Sequence, residues 1–360
     1  MSWWQRFGTK SHPVRQSSLN DIASQNGCAK RFVYDTEAEL AEAATPRELA
    51  PWKMTMGTAV HAVVERGLTR AWPQLVTIFG PDAQRPAGAG EAWAPANLRA
   101  RIDETLREEL ERASRVDEQS PPRRIDWRDE HPETEIAAGV AMAIGALRTA
   151  VERARSIVAC EVPFAATIDV PLASGKTNTY HLEGTIDLVY RRRIDDAVCL
   201  ADWKTGARKL DQILLDYGYQ TSIYAYALEH GVLWPGTERE TRLSVWPAEM
   251  HIVHLRDFVP YVKKPRTPGK KVGDLRGPGW SPSKRVPQDV ARLRESLRNV
   301  VTSVRMGLRM EMLGEQCRRC PHKGPCLGDG HALAGAEARE LERALGDADA
   351  GDDTDELSAA

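Results

Sequence analysis

This sequence lacks the features that define several large protein classes. No apolar run approaches the ~18 residues of a membrane span. The first stretch, MSWWQRFGTKSHPVRQ, holds no apolar core of signal-peptide length. Both absences lead to the expectation of a cytoplasmic protein with no membrane partner. Charge of one sign is not in excess either: 49 Lys+Arg against 51 Asp+Glu leave a net charge of −2. A chain-wide basic character, the footprint of many nucleic-acid binders, is missing, so any such evidence must be local. There is no P-loop, so nucleotide-driven motor activity is not expected of the chain itself. Cysteine is scarce, at six residues. In a reducing compartment a disulfide framework is not expected, and closely spaced cysteines point to metal.

What is present suits a soluble α/β chain. With 360 residues, 42% of them hydrophobic, the chain can bury a sizeable core in one large domain or two smaller ones. Residues 17–34 read as a short helix, capped by Ser18 or Asn20, that runs into an aromatic stretch. Residues 36–50 are Ala/Glu-rich and helical in pattern. Over 54–70, Met56, Val60, Val63, Val64 and Leu68 share one helix face. His61 lies beside that face, with Gly57 one turn before it and Glu65 one turn after. Taken alone, such a histidine is an ordinary structural residue. Residues 80–97 are Pro-, Ala- and Gly-rich and read as loop. Helical patterns follow over 97–118, strongly charged, and over 133–155, rich in alanine.

From about 157 the pattern becomes β. IVACEVPFAATIDV, YHLEGTIDLVYRR and DAVCLADWK are β-branched and apolar, separated by the turn-type stretches SGKTN and RRIDD. They predict an antiparallel meander. Cys160 and Cys199 lie inside these runs and read as core. A helix is expected over 210–229, a further strand over 241–256 broken by Pro247, and a helix over 288–313.

The chemistry concentrates between Leu182 and Leu228. Asp187 and Asp202 lie on neighbouring strand candidates joined by a short turn, and pairing those strands brings both acids to one edge. Two carboxylates a few ångströms apart repel, and a divalent cation removes the conflict. Oxygen ligands with an incomplete shell suit Mg2+ or Mn2+, which keep waters and bind phosphate. Lys204 shares the strand parity of Asp202 and points the same way. There it can orient or deprotonate a water, or stabilise charge on a phosphate. Trp203 points to the opposite face and is expected to pack. Gln220 and Tyr224 follow, one helical turn apart. The plainer reading of Asp202 and Lys204 is a surface ion pair at a strand edge.

Two further stretches carry chemistry. Cys317, Cys320 and Cys326 put three thiols within ten residues, a metal-site spacing. His322 would complete a zinc site; Cys28 would complete a four-cysteine [4Fe–4S] site. Spacing alone does not choose. Between Lys263 and Arg285 there are eight Lys/Arg and one acid. That stretch is either a solvated loop or a basic arm tracking phosphates through Lys263, Lys264, Arg266, Lys270, Lys271, Lys284 and Arg285. Asp347 to Glu356 holds six acids and no base and should be disordered.

Gly57-Thr-Ala-Val-His61, Gly184-Thr-Ile-Asp187, Asp202-Trp-Lys204-Thr-Gly206, and Gln220 with Tyr224 together resemble the PD-(D/E)XK nuclease superfamily. More narrowly they are similar to its RecB-type domains and their iron–sulfur relatives, including the AddB and CRISPR-adaptation nucleases. The resemblance implies a restriction-endonuclease-like α/β fold: a mixed central sheet flanked by helices, in the order α-β-β-β-α-β, with a helical insertion and a C-terminal iron–sulfur cysteine module. It implies that His61, Asp187 and Asp202 bind Mg2+ or Mn2+, that Lys204 serves the attacking water, and that Gln220 and Tyr224 support the scissile strand. Glu65 and Glu161 stay open between a supporting role and ordinary surface positions. The resemblance also implies a [4Fe–4S] cluster on Cys28, Cys317, Cys320 and Cys326, with zinc as the alternative.

The expected organisation is then one nuclease domain over 1–330. Residues 17–79 hold the N-terminal helices, the first cysteine and the histidine motif. Residues 80–155 are the insertion, 156–260 the catalytic sheet, 262–287 the basic loop and 288–330 the last helix with the cysteine cluster; 335–360 form the acidic tail. The implied activity is hydrolysis of DNA, as single strands or duplex ends, with exonuclease action favoured. A helicase or other recombination or CRISPR proteins would be partners. A catalytically silent DNA-binding or assembly subunit that keeps the fold is the alternative.

Overall fold

The computed structural model describes residues 6–15, 49–81, 83, 94–127, 130–171, 175–206, 219–263, 268–277, 279–283 and 285–305. The chain divides into two compact units. One comprises 6–20 and 48–302; the other comprises 1–5, 21–47 and 303–360. Of the second, only 303–305 are among the described residues. The helix expected over 17–34, Cys28, Cys317, Cys320, Cys326, His322 and the acidic tail all lie outside them.

In the first unit, β1 is Val14–Arg15, β2 Leu49–Pro51 and α1 Trp52–Arg70. The expected helix over 36–50 lies outside the described residues except for its last two positions, which are strand. Helix α1 starts directly after Pro51 and buries Met56, Ala59, Val60, Val63, Val64 and Leu68 at three- and four-residue spacing. Each large aliphatic side chain of that stripe contributes roughly 1.5–3 kcal/mol by leaving water. Helices α2 (Trp72–Phe79) and α3 (Ala96–Ser114), strand β3 (Arg124–Asp126) and helix α4 (Pro132–Arg153) follow.

By length and composition α4 could cross a bilayer, but 78% of its apolar window is buried inside the protein. Its Ala, Val, Met and Ile side chains join the α1 stripe, Leu106 of α3 and Trp203 in one core. Pro132 in its first turn, with Glu133 and Glu135 there, suits a helix start. Its last residue leads straight into the next strand.

Strands β4 (Ala154–Pro171), β5 (Thr177–Arg192) and β6 (Val198–Lys204) form the expected antiparallel meander. Helix α5 (Tyr219–His230), β7 (Val232–Leu233), β8 (Glu249–His254), a 3-10 turn (Leu255–Phe258), β9 (Trp280–Ser283) and α6 (Asp289–Arg305), of which 303–305 fall in the second unit, follow. Of the helix expected over 210–229, only the part from 219 is described. The strand expected over 241–256 is confined to β8, because Pro247 cannot donate to a ladder and the chain stays irregular before it.

Among the described residues the sheet order is β7-β4-β5-β6-β8-β9, with β1 parallel to β5 beside its first half. The β6–β8 pair is parallel and the other main-path pairs are antiparallel. Helices α1, α3 and α4 cover one face, packing on Leu188, Tyr190, Ala201 and Trp203. On α5, Tyr224 meets Phe164 of β4 edge-on at 6.0 Å, and the Tyr226 hydroxyl donates to the Thr167 carbonyl at 2.8 Å. The fold is thus mixed α/β, a central mixed sheet flanked by helices. Cys160 and Cys199 are buried free thiols within it.

Candidate functional site

The strand registers build the site. Cys160 pairs with Leu188 and Val162 with Ile186, so Glu161 stands opposite Asp187. Leu188 pairs with Ala201, so one step further Asp187 stands opposite Asp202. Three carboxylates therefore form one row across three adjacent strands. Like charges directly opposite on a sheet are destabilising, so a row of this kind needs positive charge.

His61 of α1 supplies one polar partner: its Nδ1 lies 2.8 Å from Glu161 Oε1 and 3.9 Å from Asp187 Oδ2. Helix α1 comes close because Gly57 has no side chain; a Cβ there would sit 3.0 Å from the Thr205 hydroxyl, just past Lys204. Glu161 has φ 46, the left-handed region. A non-glycine residue there carries strain of order 1–3 kcal/mol, a pattern that clusters at functional sites. The Trp203 backbone N–H donates to Asp187 Oδ2 at 2.7 Å.

At the other end of the row, Lys204 Nζ lies 2.6 Å from Asp202 Oδ2. Asp202 itself is only 2% exposed. Gln220 Oε1 accepts from Lys204 Nζ at 3.0 Å, while its Nε2 donates to Asp202 Oδ1 at 2.7 Å and to the Tyr224 hydroxyl at 2.9 Å. This amide orientation is forced, because an ammonium only donates and a carboxylate only accepts. Gln220 thus touches the acid and the lysine directly, and Tyr224 touches Gln220.

The electrostatics match this crowding. Burial, then the Asp202 charge, push Asp187 well above the usual carboxylate range. Burial works against protonation of His61, but the Glu161 hydrogen bond and the charges of Asp187, Glu161 and Asp202 outweigh it and lift His61 to about 9. Lys204 behaves alike: burial lowers it, and Asp202 and Asp187 raise it further, so it keeps its proton. Burial and the same two acids raise the Tyr224 hydroxyl well above its ordinary value.

The donor set fits a hard divalent cation. The ligand atoms of His61, Glu161 and Asp187 all lie within 4.8 Å of one another, with Asp202 next in the row. One imidazole with several carboxylate oxygens suits Mg2+ or Mn2+. A cavity of about 430 Å³, lined by Gly57, Thr58, His61, Ala62, Glu65 and Glu161, opens beside these groups.

The sequence alone leaves Glu161 undecided. Its signal lies in the turn that pairs Pro171 with Thr177, which sets a register that brings Glu161 opposite Asp187. Glu65 lines the cavity, with its carboxyl raised by burial and by Glu161. Lys263, Lys270 and Lys271 are exposed. Lys264, Arg266 and Lys284 lie outside the described residues. Arg285 does not belong to an exposed basic surface: it is 7% exposed, and its Nε donates to Ser222 Oγ of α5 at 3.0 Å. Neighbouring Trp246 donates to its carbonyl at 3.4 Å, so the residue is folded inward.

A sequence model of the PD-(D/E)XK nuclease superfamily matches residues 16–327, most of the chain. No curated protein matches it.

Proposed function

The chain belongs to the PD-(D/E)XK superfamily of metal-dependent nucleases, and on that premise we propose that it is a cytoplasmic deoxyribonuclease using Mg2+ or Mn2+. It acts as an exonuclease on single strands or duplex ends, in repair, recombination or CRISPR-related processing alongside a helicase or similar partner. The observation that supports this reading is the row Glu161–Asp187–Asp202, flanked by His61 at one end and Lys204 at the other.

In this reading His61, Glu161, Asp187 and Asp202 hold the cation. Bound there, it stabilises charge developing on the scissile phosphate. Lys204, beside Asp202, donates a hydrogen bond to the attacking water or a phosphate oxygen. Gln220 holds Lys204 and Asp202 in one arrangement, and Tyr224 holds Gln220. Orientation of this kind matters because displacement at phosphorus requires the water in line with the leaving oxygen. The water oxygen forms the new P–O bond, the bond to the sugar oxygen breaks, and solvent takes up one proton and supplies another.

Exposed Lys263, Lys270 and Lys271 follow the strand by its phosphates, a sequence-independent contact. Cys28, Cys317, Cys320 and Cys326 hold a [4Fe–4S] cluster, proposed from their spacing and the resemblance. Brown protein with stoichiometric iron and sulfide is the expected result; colourless, zinc-loaded protein from oxygen-free preparation would contradict it.

The test of function compares wild type, Asp202→Ala and Lys204→Ala on end-labelled single- and double-stranded DNA with Mg2+, Mn2+ or EDTA. Metal-dependent degradation from ends by wild type alone is expected. A wild type inert on every DNA would favour the silent-subunit alternative. Activity surviving both substitutions would overturn the site assignment.

A further inference from the structure

We propose that Arg256 is a positioning residue for this reaction: it braces the main chain just past Lys204 through the Thr205 carbonyl, and buried Glu135 holds it there. The inference rests on the nuclease reading above.

The need for a brace follows from the sheet. The β6–β8 ladder ends where Lys204 pairs with His254, so Thr205 takes no part in it. The residue carrying the catalytic ammonium is therefore the last one fixed by strand pairing. Arg256 lies two residues past the partner strand. Its Nε donates to the Thr205 carbonyl at 3.4 Å, and its Nη2 pairs with Glu135 Oε2 at 2.5 Å. Its guanidinium carbon stands 5.8 Å from the Trp52 ring, at the start of α1.

Arg256 has a rigid seat. Phe258, on the same 3-10 turn, lies against Gly145 of α4 and against Gly279; a Cβ on either would come within 2.3 Å of the Phe258 side chain. The Thr205 hydroxyl also lies close to Gly57, where a Cβ would sit 3.0 Å from it. Gly57 is one turn from His61 on the same helix. Thr205 thus meets both Arg256 and the helix that carries His61, so bracing it bears on where Lys204 stands relative to the metal-binding residues.

Stability alone does not account for the Arg256–Glu135 pair. Both side chains are largely buried. Desolvation of such a pair roughly cancels its attraction, and well-packed apolar replacements are often neutral or stabilising. What an apolar pair cannot supply is the N–H donated to Thr205.

That difference makes the test. The double variant Arg256→Met/Glu135→Leu is compared with wild type and with Arg256→Lys. Three quantities are read: Tm, steady-state cleavage of end-labelled DNA, and hydrogen exchange of the backbone around Thr205. The expected double variant keeps a Tm at or above wild type. Its kcat falls tenfold or more at unchanged KM and unchanged Mn2+ affinity, and exchange at Thr205 and Gly206 rises. Arg256→Lys, which keeps a charge and a donor, recovers part of the kcat. Full kcat or unchanged exchange in a stable double variant would overturn the proposal. If the double variant does not fold, Arg256→Lys decides: a partial kcat loss with faster exchange at Thr205 and near-native Tm supports the brace, and wild-type kcat refutes it. A wild type inert on DNA would instead sink the nuclease reading, while the exchange comparison still decides the brace.

Discussion

The Lys204 end of the carboxylate row and its His61 end differ in how their polar atoms are satisfied. At the Lys204 end, Gln220 bridges Lys204, Asp202 Oδ1 and the Tyr224 hydroxyl by hydrogen bonds, and Asp202 Oδ2, which has no hydrogen bond, stands 2.6 Å from the Lys204 ammonium. At the His61 end, Glu161 and Asp187 face each other across two strands and share one imidazole. There His61 is raised to about 9 and Asp187 is raised as well, so protons are held where acids crowd. At the first end a lysine supplies positive charge beside Asp202. The second gathers negative charge in the geometry of a cation site. The contrast assigns the tasks: Lys204, held by Gln220, orients water and phosphate, while His61, Glu161 and Asp187 bind the metal with Asp202 as the ligand the two ends share.

The largest effects should be common to both ends. Lys204→Ala and Asp187→Asn are each expected to lower cleavage by about a hundredfold or more, the scale of losing a key electrostatic group. A loss confined to one end would break the comparison.

Metal binding should then separate them. A ligand at 100 times its Kd stabilises the fold by about 2.7 kcal/mol. Saturating Mn2+ should therefore raise the wild-type Tm by several degrees and that of Lys204→Ala similarly. It should leave Asp187→Asn unchanged. Equal shifts in both variants would remove the division of tasks.

A smaller effect is expected within the Lys204 end. Gln220→Ala removes the amide that bridges Lys204 and Asp202 without removing a ligand, so kcat should fall about tenfold while the Mn2+ shift persists. Loss of that shift would place Gln220 with the metal ligands.

The pH dependence without metal sharpens the contrast further. In EDTA, His61 contributes stability that is present below its unfolded value of 6.5 and lost as pH rises through about 9. Asp187 prefers its protonated form in the fold, so ionising it above its ordinary 3.8 also costs stability on the alkaline side. His251, lowered to about 4 by burial and then by Arg153 and Arg192, behaves oppositely: its contribution is present above 6.5 and lost as pH falls through about 4. Thermal melts in EDTA should therefore weaken from neutral pH toward 9, and Asp187→Asn or saturating Mn2+ should flatten that fall. A fall unchanged by either would contradict the electrostatic account. Smallest of all, alanine at Lys263, Lys270 or Lys271 should each reduce the salt slope of DNA binding by about one, without sequence preference.

Much of this site is legible in the amino-acid sequence alone. Period-two alternation places Asp202 and Lys204 on one side and Trp203 on the other, and Trp203 is indeed in the core. The meander is visible because β-branched runs alternate with turn residues. The apolar stripe of α1 is equally plain. Glu161 is not, because its place depends on two strand registers at once and on a left-handed backbone that no propensity announces. Arg285 misleads for a related reason: its sequence neighbours are basic, but burial is decided by Ser222 and Trp246, distant in the chain. Arg256 gives no sequence signal, since both its partners are brought to it only by the fold.

The central claim is that the row Glu161–Asp187–Asp202 with His61 is a divalent-cation site serving phosphodiester cleavage. Calorimetric titration of Mn2+ into wild type and Asp187→Asn, both stripped of metal, tests it most directly. Saturable binding by wild type that is abolished in Asp187→Asn, with the variant still folded, is the predicted result. Undiminished Mn2+ binding by folded Asp187→Asn would contradict the account.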